Sequence, residues 1–168
     1  ALAELWSVVI ACLIGFLGLA VPRRERNPLA AGLGVLYLAV AGIDILHTLA
    51  FKGMGIFAGF SANPSTQFWI LARTLETSGL LSTVLFHRKK TFFPAFTSGV
   101  ALSFLAGLAL VFSGKFPDCY LPGTGLTPFK IGTEWILCGA LLFCAALVLR
   151  SKDPASAPTE GPLPSAFF

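Results

Sequence analysis

Residues 93–112 read FPAFTSGVALSFLAGLALVF, twenty consecutive positions without an ionisable side chain. As an α-helix rising about 1.5 Å per residue, such a run extends about 30 Å, the thickness of the hydrocarbon core of a bilayer. A helix that is apolar on every side belongs inside a large core or inside lipid, and stretches of spanning length recur along this chain. Composition agrees. Hydrophobic residues make up 55% of the chain and charged residues 12%, with a mean hydropathy of +0.80. A soluble domain carries about twice that charged fraction. The fold class that follows is an all-α integral membrane bundle.

Four further apolar stretches flank this one, at residues 2–21, 30–51, 66–86 and 127–149, which gives about five spans within a domain at 1–150. Basic residues cluster between them. The loops after the first, third and fifth spans hold Arg23, Arg24, Arg26, Arg88, Lys89, Lys90, Arg150 and Lys152, eight in all. The loops after the second and fourth, with the edge of the fifth, hold three: Lys52, Lys115 and Lys130. The positive-inside rule then places the N-terminus outside and the C-terminus in the cytoplasm. In such short loops a net charge of +4 is a topology signal, so the lipid bilayer is the expected partner and nucleic acid is not. Residues 151–168, rich in Pro, Ser and Ala, read as a cytoplasmic linker or truncated continuation. The opening has no basic n-region or cleavage site of a signal peptide, and with no initiator Met and an end at SAFF the chain reads as a fragment of something longer.

The two outer loops, FKGMGIFAGFSANPST (51–66) and SGKFPDCYLPGTGLTP (113–128), are rich in Gly, Pro and aromatic residues. Two readings stand side by side: lids folded over the bundle mouth, or aromatic residues lining the membrane interface. Cys12, Cys138 and Cys144 fall in apolar stretches as small hydrophobes, and Cys119 in the second outer loop has no obvious partner. No internal repeat is evident, which weighs against a transporter of inverted halves.

Ionisable groups within spans are costly and normally face a protein interior or a wet cavity. Glu4 stands near the outer start of the first span, Asp44 and His47 in the outer half of the second, Arg73 and Glu76 in the third, and Lys130 with Glu134 at the start of the fifth. Asp44, His47 and Thr48 share one helix face at i, i+3 and i+4, so Asp44 is placed to orient the imidazole. Trp69, Arg73 and Glu76 stack at i, i+4 and i+7, and Lys130 and Glu134 pair at i, i+4. For each pair alone the plain reading is a neutralised packing contact, but four helices supply such groups at similar depth. That convergence predicts an outward polar pocket built from Glu4, Asp44, His47, Lys52, Trp69, Arg73, Glu76, Lys130 and Glu134. His47, Glu76 and Glu134 are candidate metal ligands, while Arg73, Lys130 and Lys52 suit an anionic ligand. No bound cofactor can be named. Catalytic signatures are absent: Cys119 is the one plausible exposed nucleophile, and a structural loop thiol is its plainer reading.

GIDILHTLAFKGMG (42–55), TQFWILARTLETSGLL (66–81) and FPDCYLPGTGLTPFKIGTEWIL (116–137) resemble the third class of bacterial membrane-associated sensor domain, the MASE group. LAELWSVVIA (2–11) is similar to the family's first helix, so the resemblance runs from about residue 2 to residue 150. It implies a multi-pass sensor in a bacterial plasma membrane, covalently linked to a cytoplasmic signalling module such as a histidine kinase or diguanylate cyclase. In the family further helices and the output module are expected after the point where this chain ends. The polar residues at matching motif positions are Asp44, His47, Lys52, Trp69, Arg73, Glu76, Asp118, Lys130 and Glu134. The resemblance supplies a role and no stimulus. Two rivals are a small transporter or proton-coupled channel, which needs polar groups through the inner half, and a metal or redox protein using His47 and Cys119. Gly32, Gly34, Ala39 and Gly42 on the second span permit close helix contact, within one copy or between the two of a homodimer.

Overall fold

The computed structural model describes residues 2–20, 28–54, 56, 61–86 and 92–150. Five helices dominate: α1 (Leu2–Ala20), α2 (Pro28–Leu49), α3 (Ala62–Phe86), α4 (Phe92–Phe112) and α5 (Pro128–Arg150). A 3-10 turn, Lys52–Met54, follows α2, and a short antiparallel hairpin, β1 (Tyr120–Leu121) with β2 (Gly125–Leu126), joins α4 to α5. The basic residues Arg23, Arg24, Arg26, Arg88, Lys89, Lys90 and Lys152, His87, the linker 151–168 and the side chain of Lys52 lie outside the described residues.

The helices match the expected spans closely, with one shift: α3 begins at Ala62 rather than near position 66. Local chemistry accounts for it. The Ser61 hydroxyl accepts the Asn63 N–H at 3.3 Å, as a helix cap does. Pro64 then falls in the first turn, where an N–H would have no intrahelical partner. Helix α5 starts in the same manner, with Pro128 first and the Thr127 hydroxyl accepting the Lys130 N–H at 3.3 Å.

α2 and α3 pack side by side at the centre, α1 against α2, α4 against both, and α5 against α3. The core joins Leu36, Val40 and Ile43 of α2 to Phe68, Ala72 and Leu75 of α3, closed by Phe92, Phe96 and Val100 of α4. Three helices, Leu29–Leu49, Phe92–Phe112 and Pro128–Arg150, are long and apolar enough to cross a membrane, and α1 is a shorter apolar helix. The exception is α3, which buries Ser65, Gln67, Thr77 and Thr83 among its neighbours. A helix packed by α2, α4 and α5 need not be apolar toward lipid. The chain is an all-α membrane bundle.

Close approach between α1 and α2 depends on missing side chains. A Cβ at Gly18 would run into the Ala30 carbonyl oxygen, and one at Gly34 would stand 2.9 Å from the Gly15 carbonyl oxygen. Gly32 faces Phe96 and Gly42 faces Phe104, so these small residues of α2 receive neighbours of the same copy.

The segment between α4 and α5 folds back onto the start of α3. Gly114, at φ 68°, ends α4 with a Schellman pair, the Lys115 N–H reaching the Leu110 carbonyl at 3.0 Å and the Gly114 N–H that of Val111 at 3.1 Å. Asn63 then clamps the loop: its Oδ1 accepts the N–H groups of Cys119 and Tyr120 at 2.8 and 2.9 Å, and its Nδ2 donates to Asp118 at 2.8 Å. Gln67 donates to the carbonyls of Phe116 and Pro117, both at 3.0 Å.

Candidate functional site

The polar residues come together because α1, α3 and α5 begin at the end of the bundle where α2 finishes. In the second half of α2, Asp44 is buried and accepts a hydrogen bond from Arg73 of α3, Nη2 to Oδ2 at 2.6 Å. Arg73 Nη1 donates to Glu76 Oε2, also at 2.6 Å, one turn further along α3. One guanidinium therefore bridges two carboxylates on two helices. The bidentate fork of arginine suits that task, whereas a lysine offers a point charge. Arg73 Nε is buried without an acceptor. From α2, Tyr37 lines the same cavity as Asp44 and Glu76.

His47 does not pair with Asp44. Its Nδ1 lies 2.7 Å from the Ser65 carbonyl oxygen and 3.1 Å from the Ser65 hydroxyl, which in turn donates to the His47 carbonyl at 3.1 Å. A carbonyl only accepts, so Nδ1 carries the proton and Nε2 is left as the acceptor in the neutral ring. Nε2 faces Glu4 Oε1 of α1 at 3.7 Å. The expectation that Asp44 orients the imidazole is corrected here: the nearer charge on Arg73 takes the carboxylate, and a backbone carbonyl of α3 fixes the tautomer.

At the start of α5, Lys130 Nζ pairs with Glu134 Oε1 at 2.7 Å and stands 4.9 Å from the centre of the Trp69 ring of α3. This cation–π contact joins α5 to the same cluster. Lys52 heads the turn after α2.

Three cavities surround Arg73. The first, about 230 Å³, is lined by Glu4, Ser7, Asp44, His47, Trp69 and Arg73. The second, about 260 Å³, runs between α1, α2 and α3 past Ser7, Tyr37, Asp44 and Glu76. The third, about 390 Å³, opens between α3 and α5. A larger cavity of about 510 Å³ lies between α3 and α4 toward their other ends and has hydroxyl groups but no charged group in its lining. Size and chemistry thus part company, and the charged cluster is the better candidate.

The three candidate metal ligands stand with other partners. Among the described residues no three His, Cys, Asp or Glu side chains converge to hold an ion. His47 engages Ser65, Glu76 engages Arg73 and Glu134 engages Lys130. Cys119 is fully buried under the loop, its Sγ 3.6 Å from the Pro117 carbonyl, and burial pushes the thiol up to about 11, although Lys130 pulls the other way. A neutral, enclosed thiol is no nucleophile.

Sequence reasoning overlooked Tyr37, Ser7 and Ser65. Tyr37 precedes Asp44 by seven residues and so shares its helix face, a signal that was there to use. Ser65 gave no such signal, since it lies in a stretch read as loop.

The family model of the MASE3 membrane-associated sensor domain matches residues 1–163, nearly the whole chain. No curated protein and no solved structure matches it significantly. A multi-pass helical bundle and a match of this extent agree with one another. The chain belongs to the MASE3 family of membrane-associated sensor domains.

Proposed function

We propose that this domain detects an external or membrane-dissolved stimulus at the cluster around Arg73 and His47, and passes the change to a cytoplasmic output module. The observation that carries the reading is the Asp44–Arg73–Glu76 bridge, which ties α2 to α3 between three cavities. A ligand or proton that neutralises or displaces one carboxylate changes how the guanidinium is shared, and with it the packing of two central helices. A buried donor left without an acceptor costs about 1–3 kcal/mol. Arg73 Nε is such a donor, so a rearrangement that supplies an acceptor is favoured.

His47 is the contact or proton switch in this scheme. With Nδ1 held by Ser65, its Nε2 addresses Glu4 and the cavity between them. A change of charge there acts on the α1–α2 contact, because Glu4 of α1 faces the His47 ring of α2. The eight basic residues of one set of loops against three of the other support an N-terminus outside a bacterial plasma membrane. The cluster then opens outward, and the change passes through α5, or through further helices after it, to a linked histidine kinase or diguanylate cyclase.

The test uses the full-length parent. His47→Ala should abolish the response to the stimulus while membrane insertion and helix content stay normal. Glu4→Gln should weaken the response less, since the amide still meets the imidazole. A well-inserted His47→Ala parent with an undiminished response would return this histidine to a packing role.

A further inference from the structure

The cavity between α3 and α5 has a definite chemistry. One end carries Arg73, Glu76 and Glu134; the body is bounded by the indoles of Trp69 and Trp135 and by Leu141. Lys130 balances Glu134, while Asp44 and Glu76 share the one guanidinium of Arg73, each on its own terminal nitrogen, so one carboxylate is in excess. An anionic head would meet surplus negative charge and no unengaged terminal nitrogen of Arg73. A cationic head meets carboxylates and the negative faces of aromatic rings, a combination that holds organic ammonium groups. A cation already occupies part of this arrangement: Lys130 Nζ sits over Trp69 and against Glu134. Trp135 is 76% exposed and α5 buries only Cys144, so the α3–α5 seam is open from the side.

We infer that this cavity takes a lipophilic organic ammonium, which enters laterally from the membrane, seats its head among Glu76, Glu134 and Trp69, and competes with Lys130 for the carboxylate and the ring. This names a ligand class for the sensory site and rests on the sensor reading above. The apolar body of the molecule lies along Trp135 and Leu141. Displacement of Lys130 loosens the tie between α5 and α3, the step through which α5 would feel the ligand.

Fluorescence quenching in nanodiscs tests it, with Trp6 replaced by Phe so that Trp69 and Trp135, the two indoles of the cavity, report. The probes are bromohexyl-trimethylammonium, bromohexanol and bromohexanoate, each brominated at the chain end. The ammonium should quench saturably and bind about tenfold more tightly than the alcohol, with the carboxylate weakest. Glu134→Gln should reduce that preference to a few-fold, and Leu137→Phe, which fills the cavity, should weaken all three probes. Quenching that rises linearly for every probe reports partition into lipid and overturns the site. So does saturable binding in which the alcohol or the carboxylate matches the ammonium. Either failure leaves the His47→Ala test of the sensor reading standing, because that test reads the parent's response and no amine.

Discussion

Without Arg73, Asp44 and Glu76 would face each other across the α2–α3 contact with no cation between them. Breaking a buried pair by deleting one partner costs on the order of 3–5 kcal/mol, whereas replacing all partners with neutral groups is often tolerated. Arg73→Ala should therefore lower the melting temperature of the detergent-solubilised domain markedly. The triple variant Arg73→Met, Asp44→Asn, Glu76→Gln should recover most of the loss. Equal melting of the two variants would mean that the bridge is not a coupled unit. The sequence exposed half of this arrangement. Arg73 and Glu76 lie one turn apart, and helical spacing alone pairs them. The Asp44–Arg73 bond was hidden because spacing along one helix says nothing about which faces meet between helices, and His47, one turn away, looked like the natural partner. Ser65 holds His47 instead through a backbone carbonyl, which no side-chain pattern reveals.

Among the elements, the α4–α5 loop shows how a segment without a helix becomes fixed. Asn63 satisfies two backbone N–H groups and Asp118 at once. Asn63→Ala would strand those donors, at about 1–3 kcal/mol for each one left unmet. Cys119 is a reporter for this, being fully buried beneath the clamp. In the native domain at pH 8 it should alkylate slowly, since burial holds the thiol up to about 11 and little thiolate forms. Asn63→Ala should expose it and raise its alkylation rate several-fold at the same pH; an unchanged rate would show that Gln67 and the hairpin suffice. The sign of the pH dependence follows from the same shift. The folded thiol loses its proton later than an unfolded one near 9, so the stability held by the neutral thiol is complete below about 9 and falls as pH rises toward about 11. The sequence allowed the loop to be a lid or an interfacial aromatic cluster. Composition could not separate these, because the deciding contacts come from Asn63 and Gln67, fifty or more positions away for most of the bonds. The same residues moved the start of α3, where Asn-Pro-Ser looks like a turn until Ser61 is seen to cap it.

For the whole molecule, five spans would put the N-terminal end of α1 and the C-terminal end of α5 on opposite sides of the membrane, and loop charge is the guide to which side is which. The helices were legible because long, uninterrupted apolar runs have few other uses. Only α3 departs from the pattern in composition, since its neighbours cover it. Orientation governs what the cluster can sense: with the N-terminus outside, the cavity of Glu4, Asp44, His47 and Arg73 opens outward, and with the reverse it opens to the cytoplasm. Positions 59 and 89 precede and follow α3 in the sequence and lie outside the described residues. Gly59→Cys and Lys89→Cys, each in a chain whose four native cysteines are replaced by Ala, report the two sides. A membrane-impermeant maleimide added to intact cells should label Gly59→Cys and spare Lys89→Cys until the cells are lysed. Arg88, Lys89 and Lys90 are consecutive in the sequence between α3 and α4, and carrying such a charge cluster across the membrane is what the positive-inside rule describes as disfavoured. The opposite labelling pattern would move the cluster to the cytoplasmic face, where an external stimulus does not reach it, and the proposed route through α5 to an output on the far side would lose its starting point.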